Sequence, residues 1–179
     1  EPKMNGGIVV DSLGAGALNF QRFMLTEPVI RKAQLARRKY DVVFVWLGMN
    51  SMWVEPNKGW ATDTVNSLRE SRPGGLCVLV APPDSEKPGS QKTDPRILQI
   101  VKQLAGVAEE QKAAFWDLRA AMGGDGAFLE FIKRGLGATD RVHLSREGNH
   151  LLGQRLLAAL FDDVNARLAT HPTAGCDAK

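Results

Sequence analysis

Four short runs of consecutive apolar residues punctuate the chain, at 8–13, 42–47, 76–81 and 113–116. Most are rich in β-branched or aromatic residues and are bounded by Gly, Pro or Asp, the pattern of strands buried on both faces. Helical periodicity fills the intervals. One segment spans about 27–38, with Thr26 as its cap and Pro28 in its first turn. A weaker one covers about 60–71. Asp94-Pro95 opens a strong one that reaches about Lys112 and gathers Ile97, Ile100, Val101, Leu104 and Ala108 on one stripe. A last helix follows Ser145 as its cap and carries Leu151, Leu152, Leu156, Leu157, Leu160 and Phe161. Strands alternating with helices predict an α/β layer fold around a parallel sheet of about four strands. In such sheets chemistry gathers at the carboxyl ends of the strands. Here those ends are Gly14-Ala15-Gly16, Gly48-Met49-Asn50, Pro82-Pro83-Asp84 and Asp117.

The length of 179 residues suits one domain, expected over 1–170 with 171–179 as a flexible tail. The net charge is +3, and the densest basic run, Arg37-Arg38-Lys39, falls at a helix end, which argues against a nucleic-acid partner. Of the two cysteines, Cys77 lies in an apolar run and Cys176 in the polar tail, so neither a disulfide framework nor a thiolate metal site is expected. No apolar run is long enough to span a membrane. No signal peptide is visible, yet the chain opens at Glu1 without an initiator Met, so a removed upstream segment is expected to be compatible with it and the compartment stays open. No His, Cys, Asp and Glu cluster has metal-ligand spacing, and no cofactor is called for.

The segment richest in chemistry is Asp140-Arg141-Val142-His143-Leu144-Ser145-Arg146-Glu147-Gly148. It sets an acid three residues before a histidine, on a loop that feeds a helix. An imidazole can take a proton from a hydroxyl nucleophile and return it to a leaving group, and a carboxylate beside it fixes the tautomer. The plainer alternative is a surface Asp and a His at a helix start. Asn50, after a buried strand, can donate a hydrogen bond to a developing oxyanion, with Gly48 leaving the approach open, or can simply turn the chain. Gly14-Ala15-Gly16 offers a backbone N–H to the same oxyanion, or a plain strand-to-helix turn. It lacks the third glycine and downstream acid of a dinucleotide fingerprint. Trp46 and Trp116 lie in strand runs and are assigned to the core. Trp53, three residues past Asn50, is a candidate floor for a sugar or acyl pocket. His150 is assigned to surface or packing, His171 to the tail, and Asp84 and Asp117 to turns.

Together these pieces resemble the SGNH (GDSL-type) hydrolase superfamily, named for a Ser, a Gly, an Asn and a His in four sequence blocks. Gly48-Met49-Asn50 resembles the third block and Asp140-Arg141-Val142-His143 the last. The stretch 76–84 is similar to the family's fourth strand, and Phe115-Trp116-Asp117 followed by Ala121-Met122-Gly123-Gly124 resembles branches acting on cell-wall and other polysaccharide acetyl esters. The resemblance implies a flavodoxin-like three-layer fold and a serine esterase with an acetylated carbohydrate as its substrate. It implies Asp140 and His143 as the acid/base pair, Gly16 and Asn50 as the oxyanion hole, no cofactor, and a periplasmic or secreted location. Two departures stand out. Ser51 replaces the acidic residue usual after the Asn. The nucleophile block G-D-S-L is matched only by Val10-Asp11-Ser12-Leu13, and from Ser12 to Asn50 there is room for one helix and one strand where the family has two of each. The spacing favours Gly16 as the second-block glycine over Ser12 as nucleophile. On that reading the family's first strand and its Ser come from an N-terminal segment or another chain. The rivals are a glycan- or partner-binding module of the same fold and an acyltransferase.

Overall fold

The computed structural model describes residues 7–53, 58–87 and 89–170. His171 and Cys176 lie outside the described residues. Helices α1 (Phe20–Met24) and α2 (Pro28–Ala36) lead into strand β1 (Val42–Val45) and a 3₁₀ turn (Met49–Trp53). Then follow α3 (Lys58–Ser71), β2 (Leu76–Val80), α4 (Pro95–Gln111), β3 (Ala114–Trp116), α5 (Leu118–Met122), α6 (Ala127–Lys133) and α7 (Arg146–Thr170). The strands form a parallel sheet in the order β1-β2-β3, with Val43 beside Cys77 and Leu79 beside Phe115.

Alternation along the strands separates two cores. On one face Val45, Cys77 and Leu79 pack with Leu35, Val65 and Leu68, and with Ile97, Ile100, Leu104 and Val107 of α4. On the other, Val78 and Val80 pack with Leu118, Met122, Phe128, Phe131 and Leu152. Helices on both faces of a parallel sheet make the three-layer architecture expected from the alternating pattern. The α4 stripe is buried as its spacing predicts. Asp94 caps α4 by accepting the Arg96 N–H, and Lys112 ends it in the left-handed region. Ser145 Oγ accepts the Gly148 N–H and caps α7.

Four expectations are corrected. The run 8–13 is not a strand; Ile8 and Val10 are 92% and 85% exposed, and the sheet has three strands among the described residues. The segment is tethered on the β1 side, where Asp11 meets Arg38 at 3.0 Å and accepts the Tyr40 hydroxyl at 3.1 Å, but among the described residues it pairs with no strand. A strand needs a partner for its N–H and C=O groups, and among the described residues none pairs with it. Trp46 is 49% exposed, because it shares a face with Val42 and Phe44 over which no described helix packs. Thr26 does not cap α2. A residue before proline is pushed to an extended conformation, so Glu27 takes the cap position and its carbonyl accepts the Arg31 N–H. Gly48 does not open an approach: a Cβ there would lie 3.0 Å from Pro82 and 3.3 Å from Ile100, so the glycine lets the strand end pack on α4.

Candidate active site

The D-x-x-H segment closes on itself. The Ala138 N–H donates to the His143 carbonyl at 2.8 Å and the Ser145 N–H to the Leu136 carbonyl at 3.0 Å, so residues 138–143 form a tight loop. Arg141 makes its turn with φ of +64°, a left-handed conformation that non-glycine residues seldom take. This geometry aims the Val142 and His143 N–H groups at Asp140 Oδ1, each at 2.9 Å. Asp140 Oδ2 lies 2.8 Å from His143 Nδ1. The Asp140 carboxyl is held down to about 2, first by the His143 backbone N–H, then by the imidazole and then by the Val142 N–H. At neutral pH it is therefore a carboxylate that only accepts, which places the proton of a neutral imidazole on Nδ1 and leaves the Nε2 lone pair free. The His143 side chain is 79% exposed. Among the described residues nothing hydrogen-bonds to Nε2.

The loop rests on a firm base. Gly148 sits in the first turn of α7 against the backbone of Leu136, where a Cβ would come within 1.9 Å of the Leu136 carbonyl oxygen. The last position of D-x-x-H-L-S-x-x-G is thus a close-approach glycine. Arg155 donates to the Ala121 carbonyl and fastens α7 to α5.

The second cluster lies past β1. Asn50 Nδ2 donates to the Leu18 carbonyl at 2.9 Å, and Asn19 Nδ2 donates to the Asn50 carbonyl at 3.4 Å. These bonds bring the turn carrying Gly16 to the 3₁₀ turn carrying Asn50, and they leave the carboxamide a second N–H. Gly16 itself is exposed in the turn before α1, with Ala17 left-handed at φ +55°. Asn19, buried and capping α1, escaped the sequence reading, although an Asn ahead of a short apolar helix is a cap signal. Ser12 lies exposed in the unpaired segment and makes no hydrogen bond with His143. Trp53 closes the 3₁₀ turn; its side chain, the proposed pocket floor, lies outside what is described.

The loop after β2 is more than a turn. Asp84 is fully buried, accepts the Thr93 hydroxyl at 2.6 Å and the Phe128 N–H at 3.0 Å, and lies 3.6 Å from Arg119 Nε. Asp117 is the cap of α5, as expected of a turn residue. His150 is exposed and Trp116 packs against the second core. Among the described residues no group of His, Cys, Asp and Glu could hold a metal ion, and no helix is long and apolar enough to cross a membrane.

No protein-family model and no curated protein sequence matches the chain. Solved structures do. One described as a peptidoglycan O-acetylesterase aligns with a TM-score of 0.70 at 24% identity, over 76% of this chain. The chain spans only 41% of the length of that structure. A lipase/acylhydrolase from Enterococcus faecalis aligns at 0.55 and 16% identity, over 80% of this chain and 71% of its own. Est24, a carbohydrate acetylesterase from Sinorhizobium meliloti, aligns at 0.51 and 17%, over 84% and 74%. With the parallel sheet, its two helical layers and the Asp140–His143 loop at the sheet's carboxyl end, these likenesses identify the chain's fold as that of the SGNH (GDSL-type) hydrolases.

Proposed function

We propose that the chain is the acid/base and oxyanion part of an SGNH-type serine esterase that removes O-acetyl groups from a carbohydrate or cell-wall polymer, with residues 1–170 acting as one hydrolase domain. The observation that carries the reading is the 2.8 Å contact of Asp140 Oδ2 with His143 Nδ1, beside an Nε2 with no protein partner among the described residues. A Ser hydroxyl loses its proton to His143 Nε2 as its oxygen attacks the ester carbonyl. Asp140 holds the tautomer and stabilises the imidazolium. The free N–H of the Asn50 carboxamide and the backbone N–H of Gly16 bind the oxyanion. His143 then protonates the sugar oxygen as its bond to the acyl carbon breaks, so that the sugar leaves as a free hydroxyl, and water activated on the same nitrogen hydrolyses the acyl-enzyme to acetate and free Ser. Trp53 is proposed to floor the substrate pocket. Two structural neighbours, a peptidoglycan O-acetylesterase and a carbohydrate acetylesterase, support the substrate class.

In this reading the Ser arrives on a further strand, from an N-terminal segment or another chain, that pairs with the free edge of β1. Three observations support it. Among the described residues β1 is paired on the β2 side only. Val42, Phe44 and Trp46 on one of its faces are 40%, 40% and 49% exposed. The apolar run 8–13 lies nearby without a partner. An unpaired, apolar edge is a template for another strand.

The test is hydrolysis of a short acetyl ester and release of acetate from an O-acetylated polysaccharide. His143→Ala is expected to abolish both, and Asp140→Asn to lower kcat by roughly up to 10⁴-fold. Full turnover by His143→Ala would overturn the assignment. If Ser12→Ala abolishes turnover by this chain alone, Ser12 is the nucleophile and no further strand is needed. Saturable binding of the polymer without turnover would make the chain a binding module, and preferential transfer to an added alcohol would make it an acyltransferase.

A further inference from the structure

Among the buried charges that the proposed chemistry does not use, Glu86 reaches into the D-x-x-H loop. Glu86, in the loop after β2, is an anion whose side chain is 2% exposed. A carboxylate so deeply buried persists only when its oxygens are answered by donors. Both are. Oε1 accepts the Gln91 N–H at 2.7 Å and Oε2 accepts Arg141 Nη1 at 2.8 Å. The neighbouring Ser85 hydroxyl donates to the Arg141 carbonyl at 3.0 Å. Arg141, inside the D-x-x-H loop, is therefore gripped at its side chain and at its backbone. The grip itself is stiff. Glu86 bridges Thr93 in antiparallel fashion, the Asp94 N–H donates to the Ser85 carbonyl at 2.8 Å, and Asp94 caps α4.

We infer that Glu86, acting through Arg141, is a positioning residue for the His143 imidazole. The step from one to the other is the backbone of Arg141. Its φ of +64° is what turns the Val142 and His143 N–H groups onto Asp140 Oδ1. A non-glycine residue holds that conformation only when its surroundings over-determine it. With the Glu86 contact removed, Arg141 relaxes toward ordinary φ, the two N–H groups leave Asp140, and the carboxylate and imidazole lose their common frame. The inference rests on His143 being the general base, and its test separates the two.

The experiment uses the full chain, ¹⁵N-labelled for amide exchange, and the competent esterase for kinetics. Glu86→Ala and Arg141→Met are each expected to speed exchange of the Val142 and His143 amides by about 10-fold or more while the β2 and α4 amides keep their rates. In the same variants kcat for a short acetyl ester is expected to fall about 10- to 100-fold with KM within about twofold, as a misplaced base should give. Glu86→Gln keeps an oxygen for Arg141 and is expected to restore most of both. If Glu86→Ala does not fold, Arg141→Met, whose side chain is 38% exposed, decides alone. Wild-type exchange at Val142 and His143 in a folded variant overturns the inference. So does faster exchange with unchanged kcat, in which case an inactive His143→Ala leaves the esterase reading standing.

Discussion

Around β2 and β3 the structure is closed: Leu79 and Phe128 are fully buried, and the buried anions Asp84 and Glu86 each hold several donors. Around β1 it is open. Val42, Phe44 and Trp46 are 40%, 40% and 49% exposed, and Ile8 and Val10 are exposed as well. The two candidate half-sites divide along the same line. Asp140 and His143 stand on the closed part, fixed by Arg141, Gly148 and the cap at Ser145. Asn50 and Gly16 stand at the open part, held to each other through Leu18 and Asn19. The lesson is that the proton-handling half of the proposed site is set by this chain's own packing. The half proposed to handle the acyl group, Asn50 and Gly16, lies at the open part, tied together by the Asn50–Leu18 and Asn19–Asn50 hydrogen bonds.

The largest break in that contrast should come from Gly148→Ala. A methyl group in the Leu136 backbone forces α7 off the loop, and a loss of about 4 kcal/mol or more is expected in urea unfolding. A change under about 1 kcal/mol would mean that the helix shifts without cost. Next is a matched pair of truncations. Phe128→Ala, in the closed part, should cost about 3–5 kcal/mol, whereas Phe44→Ala, already 40% exposed, should cost less than about 1 kcal/mol. Equal losses would erase the distinction between the two ends of the sheet.

Acid sharpens the comparison more gently. The folded pKa of Asp140, about 2, lies below the unfolded value of about 3.9. Its carboxylate therefore contributes stability that is fully present above the unfolded value and is lost as pH falls through the folded one. With the side chain half exposed, solvent screening keeps that contribution small. A ¹³C titration of the Asp140 carboxyl should give a midpoint near 2, and a midpoint near the unfolded value would mean that the loop is not formed in solution. The smallest effect concerns Cys77. Burial pushes its thiol up to about 11, so a thiol reagent at mildly alkaline pH should leave it untouched until the chain unfolds. Rapid native-state labelling would place the opening of the sheet at β2 as well as β1.

The sequence by itself determined what short-range rules encode. The three-residue step from Asp140 to His143 is a local loop, the Ser145 and Asp94 caps act within one turn, and the α4 stripe follows from helical period alone. The alternation of apolar runs with helices was enough for the parallel, layered sheet. Tertiary structure decided whatever needs a partner far along the chain. The run 8–13 has the composition of a strand and is none, because strand formation requires a neighbouring edge and composition does not supply one. Trp46 reads as core yet lies half exposed for the same reason. Asp84, read as a turn residue, is buried because Thr93 and Phe128 fold over it. In sequence Glu86 is one charge among the polar residues that follow β2. Its meeting with Arg141, 55 residues away, gives a buried carboxylate its donor and a left-handed residue its restraint, and only the fold could bring those two needs together.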